Sequence, residues 1–415
     1  MNNKVLRHDI KCRLCGSNKI NEILKLKPTP PEDLFLPKSQ LELSSEKYPL
    51  TLALCEDCGY THLPYILNPD ISYSNYVYET KVTVGLSAHY KEYAQKIIKY
   101  AEINKSSFIV DLGSNDGTML KAFKTIGMKV LGVEPSEQIA NIANDNNLET
   151  INDYFSISVV DRMIKKYGKA AIVTANYMYA NIDNVMEFTR NVKKILDDDG
   201  LFVIQTGYHP EQMKINMFDY IYHEHFSYFT VKVLKNLLNN CGMQLISVSP
   251  NLAKGGSIRV IAQHIGGRRK VDKSIGLFIG KEENEKIHDP EVYMKFANNI
   301  ENRKTQVVEL LEQIHSNGQT IAGYGASHST TTLIHHFEIG KYFDYIIDDN
   351  PIKHGLYSPG YHLPVYPSDK LYKDKPEYAF ILGWQHRDSI INKNRKYIQE
   401  GGKFIVPLPK LKIVS

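Results

Sequence analysis

His223, Glu224 and His225 stand side by side within the aromatic segment FDYIYHEHFSYFT (218–230). Side chains of these types could act as a pair of metal ligands, as a general base with its helpers, or as buried polar groups that satisfy one another. The metal reading places both imidazoles on one face of a strand and supplies no third ligand nearby. Histidine is also the side chain whose ordinary proton affinity lies near neutrality, which suits a general base.

Thiols form a second constellation. Cys12 and Cys15 in CRLCG, and Cys55 and Cys58 in CEDCG, make two C-x-x-C knuckles, each followed by a glycine that lets the turn close. Four thiolates complete a tetrahedral zinc site and leave no open position, so a zinc ion held there is structural. Cys241 stands alone and reads as a small core residue.

A third set follows an apolar run. SSFIVDLGSNDG (106–117) reads as a buried strand that ends on Asp111 and turns through Gly113, Ser114, Asn115, Asp116 and Gly117 into the helix TMLKAFKTIG. A second strand, KVLGVEPS (129–136), ends on Glu134, an acid placed to accept from both hydroxyls of a ribose. The turn lacks the middle glycine of G-x-G-x-x-G and is not prepared for a pyrophosphate. It suits S-adenosylmethionine, whose amino-acid end seeks acids and backbone carbonyls. NDYFS (152–156) falls where an adenine needs a polar contact and an aromatic wall, from Asp153 and Tyr154.

The elements that must position these groups are those of an α/β protein. Further strands are expected at 170–179, 200–208, 243–251 and 257–264, the last two as an antiparallel pair. Tyr90, Tyr93, Ile97 and Tyr100 share one face of a helix that leads into this unit. A long amphipathic helix spans about 291–317, and a second α/β unit follows with strands at 320–326, 343–349, 378–384 and 403–409. Three domains result: a zinc module with little core of its own (1–70), a central unit (71–268) and a C-terminal unit (269–415). The prolines of KPTPPEDLFLP, between the knuckles, forbid helix and imply an extended arm.

With 42% hydrophobic and 23% charged residues, the 415-residue chain has the composition of a soluble globular protein. A formal charge of +4 gives no basis for a nucleic-acid partner, and GGRRK (266–270) reads as a solvated loop. No stretch approaches the ~20 apolar residues of a membrane span, and the N-terminus lacks a signal-peptide core. The expected compartment is the cytoplasm, where thiols stay reduced.

Beyond these patterns, the chain resembles the sugar C-methyltransferases, which methylate a carbon beside the ketone of a nucleotide-linked keto-deoxysugar, as in C-3 methylation of TDP-4-keto sugars. The resemblance covers nearly the whole chain: the two knuckles, SNYVYETKVT (74–83), VDLGSNDGTML, GVEPS, the aromatic segment, GGSIRV (255–260), GYGA (323–326) and IIDDNPIKHGLYSPGYHLPV (346–365). It implies a zinc module, a class I Rossmann-like methyltransferase domain and a second Rossmann-like domain. It also implies S-adenosylmethionine and a structural zinc ion, with a TDP-linked or other nucleotide-linked sugar as partner.

Among residues, the resemblance makes His225 the base, oriented by Glu224, with Tyr222 on the sugar and Tyr76 closing over it. Asn181, Tyr324, Ser327, Asn350, Lys353 and Tyr357 fall on the substrate side. Two departures accompany it. Many relatives carry a histidine at the position of Asn181, whose amide cannot take a proton. SHSTTT (327–332) stands where relatives often carry a lysine, although Ser327, Ser329, Thr330 and the amides of a helix N-terminus could still hold a phosphate. These departures motivate two alternatives: an oxygen or nitrogen acceptor, or a scaffold that binds cofactor without turnover.

Overall fold

The computed structural model describes residues 5–43, 46–73, 79–82, 85–251 and 253–415. Its largest sheet forms where the sequence alternates apolar strands with amphipathic helices. Strands Phe108–Leu112, Lys129–Glu134, Thr150–Asn152, Ala170–Asn176, Leu196–Gly207, Met243–Asn251 and Ser257–His264 are its seven members. Counted along the chain, they lie side by side in the order 6-7-5-4-1-2-3. The seventh runs antiparallel between the fifth and sixth, and the others are parallel. Helices cover both faces, so the central strands are mostly apolar; Ile109, Val110, Leu112, Ile172 and Val173 are fully buried. The winding reverses between the first and fourth strands, and the reversal opens a crevice beyond their carboxyl ends.

Helix Leu86–Ala101 closes one face through Leu86, Tyr90, Tyr93, Ala94, Ile97 and Ala101. Tyr93 meets Phe123 edge-on at 6.5 Å. Tyr100, expected on the same stripe, is 38% exposed, because the helical turn brings the smaller Ala101 inward instead.

The N-terminal residues build a different layer. Strands Ile20–Thr29, Tyr48–Cys55 and Thr61–His62 are antiparallel, and the short strand Ser227–Tyr228, from the aromatic segment, completes a four-stranded sheet at its Thr61–His62 edge. This sheet has substantial apolar content, contrary to the expectation of a module with little core. Leu24, Leu26, Leu50, Leu52 and Leu54 join one buried cluster with Tyr293, Phe296 and Ile300 of helix Pro290–Ser316 and with the C-terminal strands. The KPTPPEDLFLP arm runs without helix and bonds the backbone of Leu36 to that of Tyr357 in both directions, at 3.1 and 2.9 Å.

In the C-terminal unit, strands Ile321–Tyr324, Ile346–Ile347, Val365–Tyr366, Tyr378–Ile381 and Lys403–Val406 are parallel, with Lys412–Val414 antiparallel at one edge. Gly325 (φ 112°) lets two strand ends meet: a Cβ there would lie 2.7 Å from the Gly383 nitrogen. Helix Ser274–Asn284, expected with this unit, packs instead on the central sheet. Ile275 enters the central core, and Glu282 accepts from the Val231 and Lys232 amides at 2.6 and 3.0 Å, capping the helix that starts there. We therefore propose that the central unit extends through this helix rather than ending at 268.

Candidate active site

Two cavities meet above the central sheet. The first, of about 350 Å3, occupies the crevice at the reversal point. Gly113 (φ 62°) forms its floor, and a Cβ there would fall 2.8 Å from Met178 Cγ, so only glycine leaves the space open. The Gly113 and Ser114 amides donate to the Val133 carbonyl at 2.9 and 3.2 Å. The Glu134 carboxyl accepts from the amides of Asn115 and Ser136, both at 3.0 Å, which fixes its orientation at the cavity edge. Burial raises its proton affinity, and those two amides oppose the rise.

Asn115 and Asp116 shape the loop in a second way. Asn115 Oδ1 accepts from the Thr80 amide at 2.7 Å, and Asp116 accepts from Lys81 and Thr118 amides at 2.9 and 3.1 Å. Asp116 thus starts helix Thr118–Thr125 at Gly117 while tethering the 80–82 segment. Asp111 lies beneath the cavity rather than on its wall; Thr174 and Asn176 donate to it at 2.5 and 3.2 Å, and burial pushes its carboxyl up to about 7.

At the other end the wall carries Asp153, Tyr154, Phe155 and Phe188. Asp153 pairs with Arg162 at 2.7 Å, and the Tyr154 hydroxyl donates to Asp70 at 3.0 Å. An acid at one side and an aromatic wall at the other, where Phe155 and Phe188 meet edge-on at 5.1 Å, suit an adenosyl group. Of the cofactor candidates, Gly113, Asn115, Glu134, Asp153 and Tyr154 line the space, whereas Asp111, Ser114, Asp116 and Gly117 shape it from behind.

The second cavity, of about 420 Å3, lies between the aromatic segment and the C-terminal sheet. Tyr222, Glu224, His225, Asn181, Tyr324, Ser327, Asn350 and Lys353 all line it. Tyr357 does not, because its backbone is engaged with Leu36. Tyr76 lies outside the described residues. Tyr177, Asn181 and Lys254 line both cavities and mark their junction. Tyr177 takes a left-handed backbone (φ 56°) at the end of the fourth strand, a costly conformation for an aromatic residue, and the Lys254 ammonium rests 4.5 Å from its ring centre.

His225 Nδ1 faces the Tyr220 carbonyl at 3.0 Å, and its Nε2 lies 2.7 Å from the Tyr222 hydroxyl. A carbonyl can only accept, so the ring proton belongs on Nδ1 and Nε2 is left as the acceptor. The two rings stack with centres 3.9 Å apart. Burial lowers the proton affinity of His225 to about 3, opposed by the Tyr220 carbonyl and reinforced by Lys254 and His328. The sequence leads one to expect a near-neutral group; the enclosed ring is instead a neutral acceptor.

Glu224 does not orient His225, as expected of it. Its carboxyl points toward His328, 3.6 Å from Nε2, because the Tyr220 carbonyl already occupies the free side of the His225 ring. Burial, with Asp33 and Glu32 nearby, raises its proton affinity well above the usual range. Asp33 pairs with Lys353 at 2.5 Å, and Lys353 also donates to the Ala326 carbonyl at 2.7 Å. Burial pushes the Asp33 carboxyl up, but His328 and Lys353 together hold it below its ordinary value. His223 turns away from His225 and meets Glu32 at 2.7 Å with both side chains fully buried. Burial works against protonation of His223, yet Glu32 prevails and raises its proton affinity.

The N-terminus of helix His328–Phe337 borders this cavity. Ser327 and Thr330 cap it reciprocally, and Asp348 accepts from the Ala326 and Asn350 amides at 2.6 and 2.7 Å. Asn350 Oδ1 caps a short turn at the Ile352 amide, at 3.2 Å. The Tyr324 hydroxyl lies 3.4 Å from Asp349, which Lys393 pairs at 2.6 Å.

Below the aromatic segment, Cys12, Cys15, Cys55 and Cys58 converge with all sulfurs within 4.8 Å. The Cys12–Cys58 and Cys15–Cys55 separations of 3.6 and 3.5 Å approach the ~3.8 Å that tetrahedral Zn–S bonds require. Gly16 and Gly59, both left-handed, donate to the Cys12 and Cys55 carbonyls at 2.8 Å and close the two knuckles. Hydrogen bonding from the Cys58 thiol holds Cys12 well below the usual thiol range against burial.

A glycine-floored crevice on a 6-7-5-4-1-2-3 sheet with an acid beyond its second strand defines an S-adenosylmethionine-dependent methyltransferase. Family models agree along the chain: a zinc binding domain over 12–73, a methyltransferase domain over 86–248 and a C-methyltransferase C-terminal domain over 252–409. Together the three matches give the chain the domain make-up of a zinc-module C-methyltransferase, with zinc as a structural ion. It is similar to the C-methyltransferase NovU of Streptomyces niveus, 28% identical over 99% of this chain and 98% of that one. Among solved structures, CcbJ methyltransferase of Streptomyces caelestis is 13% identical, covering 46% of this chain and 94% of its own, with a TM-score of 0.33. Magnesium protoporphyrin IX methyltransferase of Synechocystis PCC 6803 with bound SAM is 10% identical, covering 42% and 79%, with a TM-score of 0.32. Both likenesses are too slight to bear on function.

Sequence reasoning passed over Asp33, Tyr177, Lys254 and His328. The acid pair in PPED was a signal available in the sequence, since carboxylates in a proline-stiffened arm must meet partners elsewhere. Nothing local marks Lys254 or His328, which reach the site through tertiary packing alone.

Proposed function

We propose that the protein methylates the carbon adjoining the ketone of a nucleotide-linked keto-deoxysugar. The observation that carries this reading is the position of His225: it lines, with Tyr222 on its Nε2, the cavity that joins the cofactor crevice at Tyr177, Asn181 and Lys254. Bound S-adenosylmethionine supplies an electrophilic methyl group on a sulfonium. His225 Nε2 takes the proton from the α-carbon, and the C–H electron pair passes into the enolate. Tyr222 leaves its contact with Nε2 and donates to the enolate oxygen. The carbon so activated would take the methyl group from S-adenosylmethionine held by Gly113, Asn115 and Glu134, with the thioether S-adenosylhomocysteine as the leaving group. An imidazole that begins neutral becomes cationic beside the anion it creates, and that attraction offsets the burial that depressed its proton affinity.

On the substrate side, Ser327, Tyr324, Asn350 and Lys353 border the space that the nucleotide-linked sugar would fill. A cytoplasmic setting belongs to the same proposal; no helix among the described residues is long and apolar enough to cross a membrane. A second reading, methylation of oxygen or nitrogen, is favoured by Asn181 at the junction, whose amide can hold a substrate but cannot accept its proton. Incubation with methyl-labelled S-adenosylmethionine and a panel of TDP- and GDP-keto sugars tests both. A new carbon–methyl bond by NMR supports the first, a heteroatom–methyl bond supports the second, and binding without transfer refutes both.

A further inference from the structure

Arg13 sits between the two cysteines of the first knuckle, yet its side chain leaves the zinc site and only 8% of it is exposed. Nη2 donates to the Phe226 carbonyl at 2.5 Å, and Nη1 donates to the Asp183 carbonyl at 3.0 Å and approaches the Asp183 carboxylate at 3.4 Å. Nε lies 3.8 Å from Asp9, and the guanidinium carbon lies 5.7 Å from the centre of the Phe226 ring. The two carbonyls belong to separate halves of the site. Phe226 directly follows His225, and Asp183 stands two residues beyond Asn181 on the wall of the cofactor crevice. The Phe226 carbonyl also accepts from the Leu63 amide of the N-terminal sheet at 3.0 Å.

A guanidinium is a rigid planar fork with donors at fixed angles, and it can hold two carbonyls at a set separation. An ammonium on a flexible stem cannot impose that geometry. From these contacts we infer that Arg13 is a positioning residue for methyl transfer: it grips the loop behind the cofactor crevice and the segment behind the base, and so sets the distance between them. The inference rests on the proposed role of His225, through which Arg13 would act. It also gives the zinc site a function beyond local folding, because the closed knuckle aims the Arg13 side chain.

The test compares wild type with Arg13→Met and Arg13→Lys. Metal content and the dissociation constant for S-adenosylmethionine are measured beside kcat and KM. In D2O, with S-adenosylhomocysteine bound, exchange of the sugar α-proton is followed by NMR, which reads the base without methyl transfer. Displacement of reacting groups by about an ångström lowers turnover roughly 100-fold. Arg13→Met should therefore lose roughly 10- to 100-fold in kcat and in exchange, with full zinc, cofactor affinity within about threefold and little change in KM. Arg13→Lys, which retains charge and folds more readily, should recover only part of the loss. Unchanged kcat in both variants would overturn the inference, as would a loss of activity matched by a loss of zinc. If wild type methylates a heteroatom without exchange, the carbon-acid reading falls, while the kcat-against-KM split still decides the role of Arg13.

Discussion

The two cavities are similar in size and are built in opposite ways. The cofactor crevice draws its floor from the strand ends of a single sheet: Gly113, Asn115 and Glu134 lie within a short run of chain, and nearby amides donate to the Glu134 carboxyl. The second cavity is assembled from distant pieces. Asp33 comes from the N-terminal arm, His225 from the aromatic segment, His328 and Lys353 from the C-terminal unit, and Asp33 pairs with Lys353 across 320 residues of sequence. A site made locally tolerates damage elsewhere in the chain. A site made by convergence depends on every contributor at once.

The sharpest way to break this contrast is to remove the base. His225→Ala should lower turnover by roughly 10²–10⁴ while cofactor affinity, measured by calorimetry, stays unchanged; equal loss of both would mean that the cavities are not separable. Because burial holds His225 near 3, kcat/KM should show no inflection between pH 5 and 7 attributable to this group in the free enzyme. Glu134→Ala should do the reverse, weakening cofactor binding by roughly 10-fold, the worth of one charge-assisted contact, with turnover at saturation largely retained.

Cys55→Ser probes convergence from below. It should release zinc and lower the melting temperature, by metal analysis and calorimetry, and it should depress activity more than cofactor binding. Full metal content in that variant would contradict the four-thiolate site.

The remaining expected effect is electrostatic and bears on stability rather than on either cavity's chemistry. Asp111 keeps its proton in the fold up to about 7, whereas the unfolded carboxyl ionises near its ordinary value of 3.8. The folded state therefore binds more protons across that window, and this group's contribution to stability falls as pH rises through it. Asp111→Asn should lose this dependence and gain on wild type by up to about 1.4 kcal/mol per pH unit within the window, read from denaturant midpoints. A constant difference at pH 4 and pH 8 would show that Asp111 is not the group responsible.

The same contrast explains what could be read from sequence. The strands at 243–251 and 257–264 and the long helix from 290 follow from periodicity and turn residues, which are local. The knuckles and the Asp111–Glu134 unit were legible for the same reason. Glu224 was not, because its neighbours, Asp33 and His328, are set by packing between segments far apart in sequence. The buried cluster shared by the N-terminal and C-terminal layers was equally hidden: Leu50 and Leu52 look like an ordinary strand, and nothing nearby reveals that they share a core with Phe296.

The strand Ser227–Tyr228, paired with Thr61–His62, carries a consequence for timing. During synthesis the knuckles can capture metal as soon as Cys58 emerges, but the sheet above them keeps an open edge until residue 228 leaves the ribosome. For most of translation of the first half, the nascent chain holds a sealed clasp under an unfinished surface, which makes that edge the place where a chaperone would be needed or a stray strand would bind.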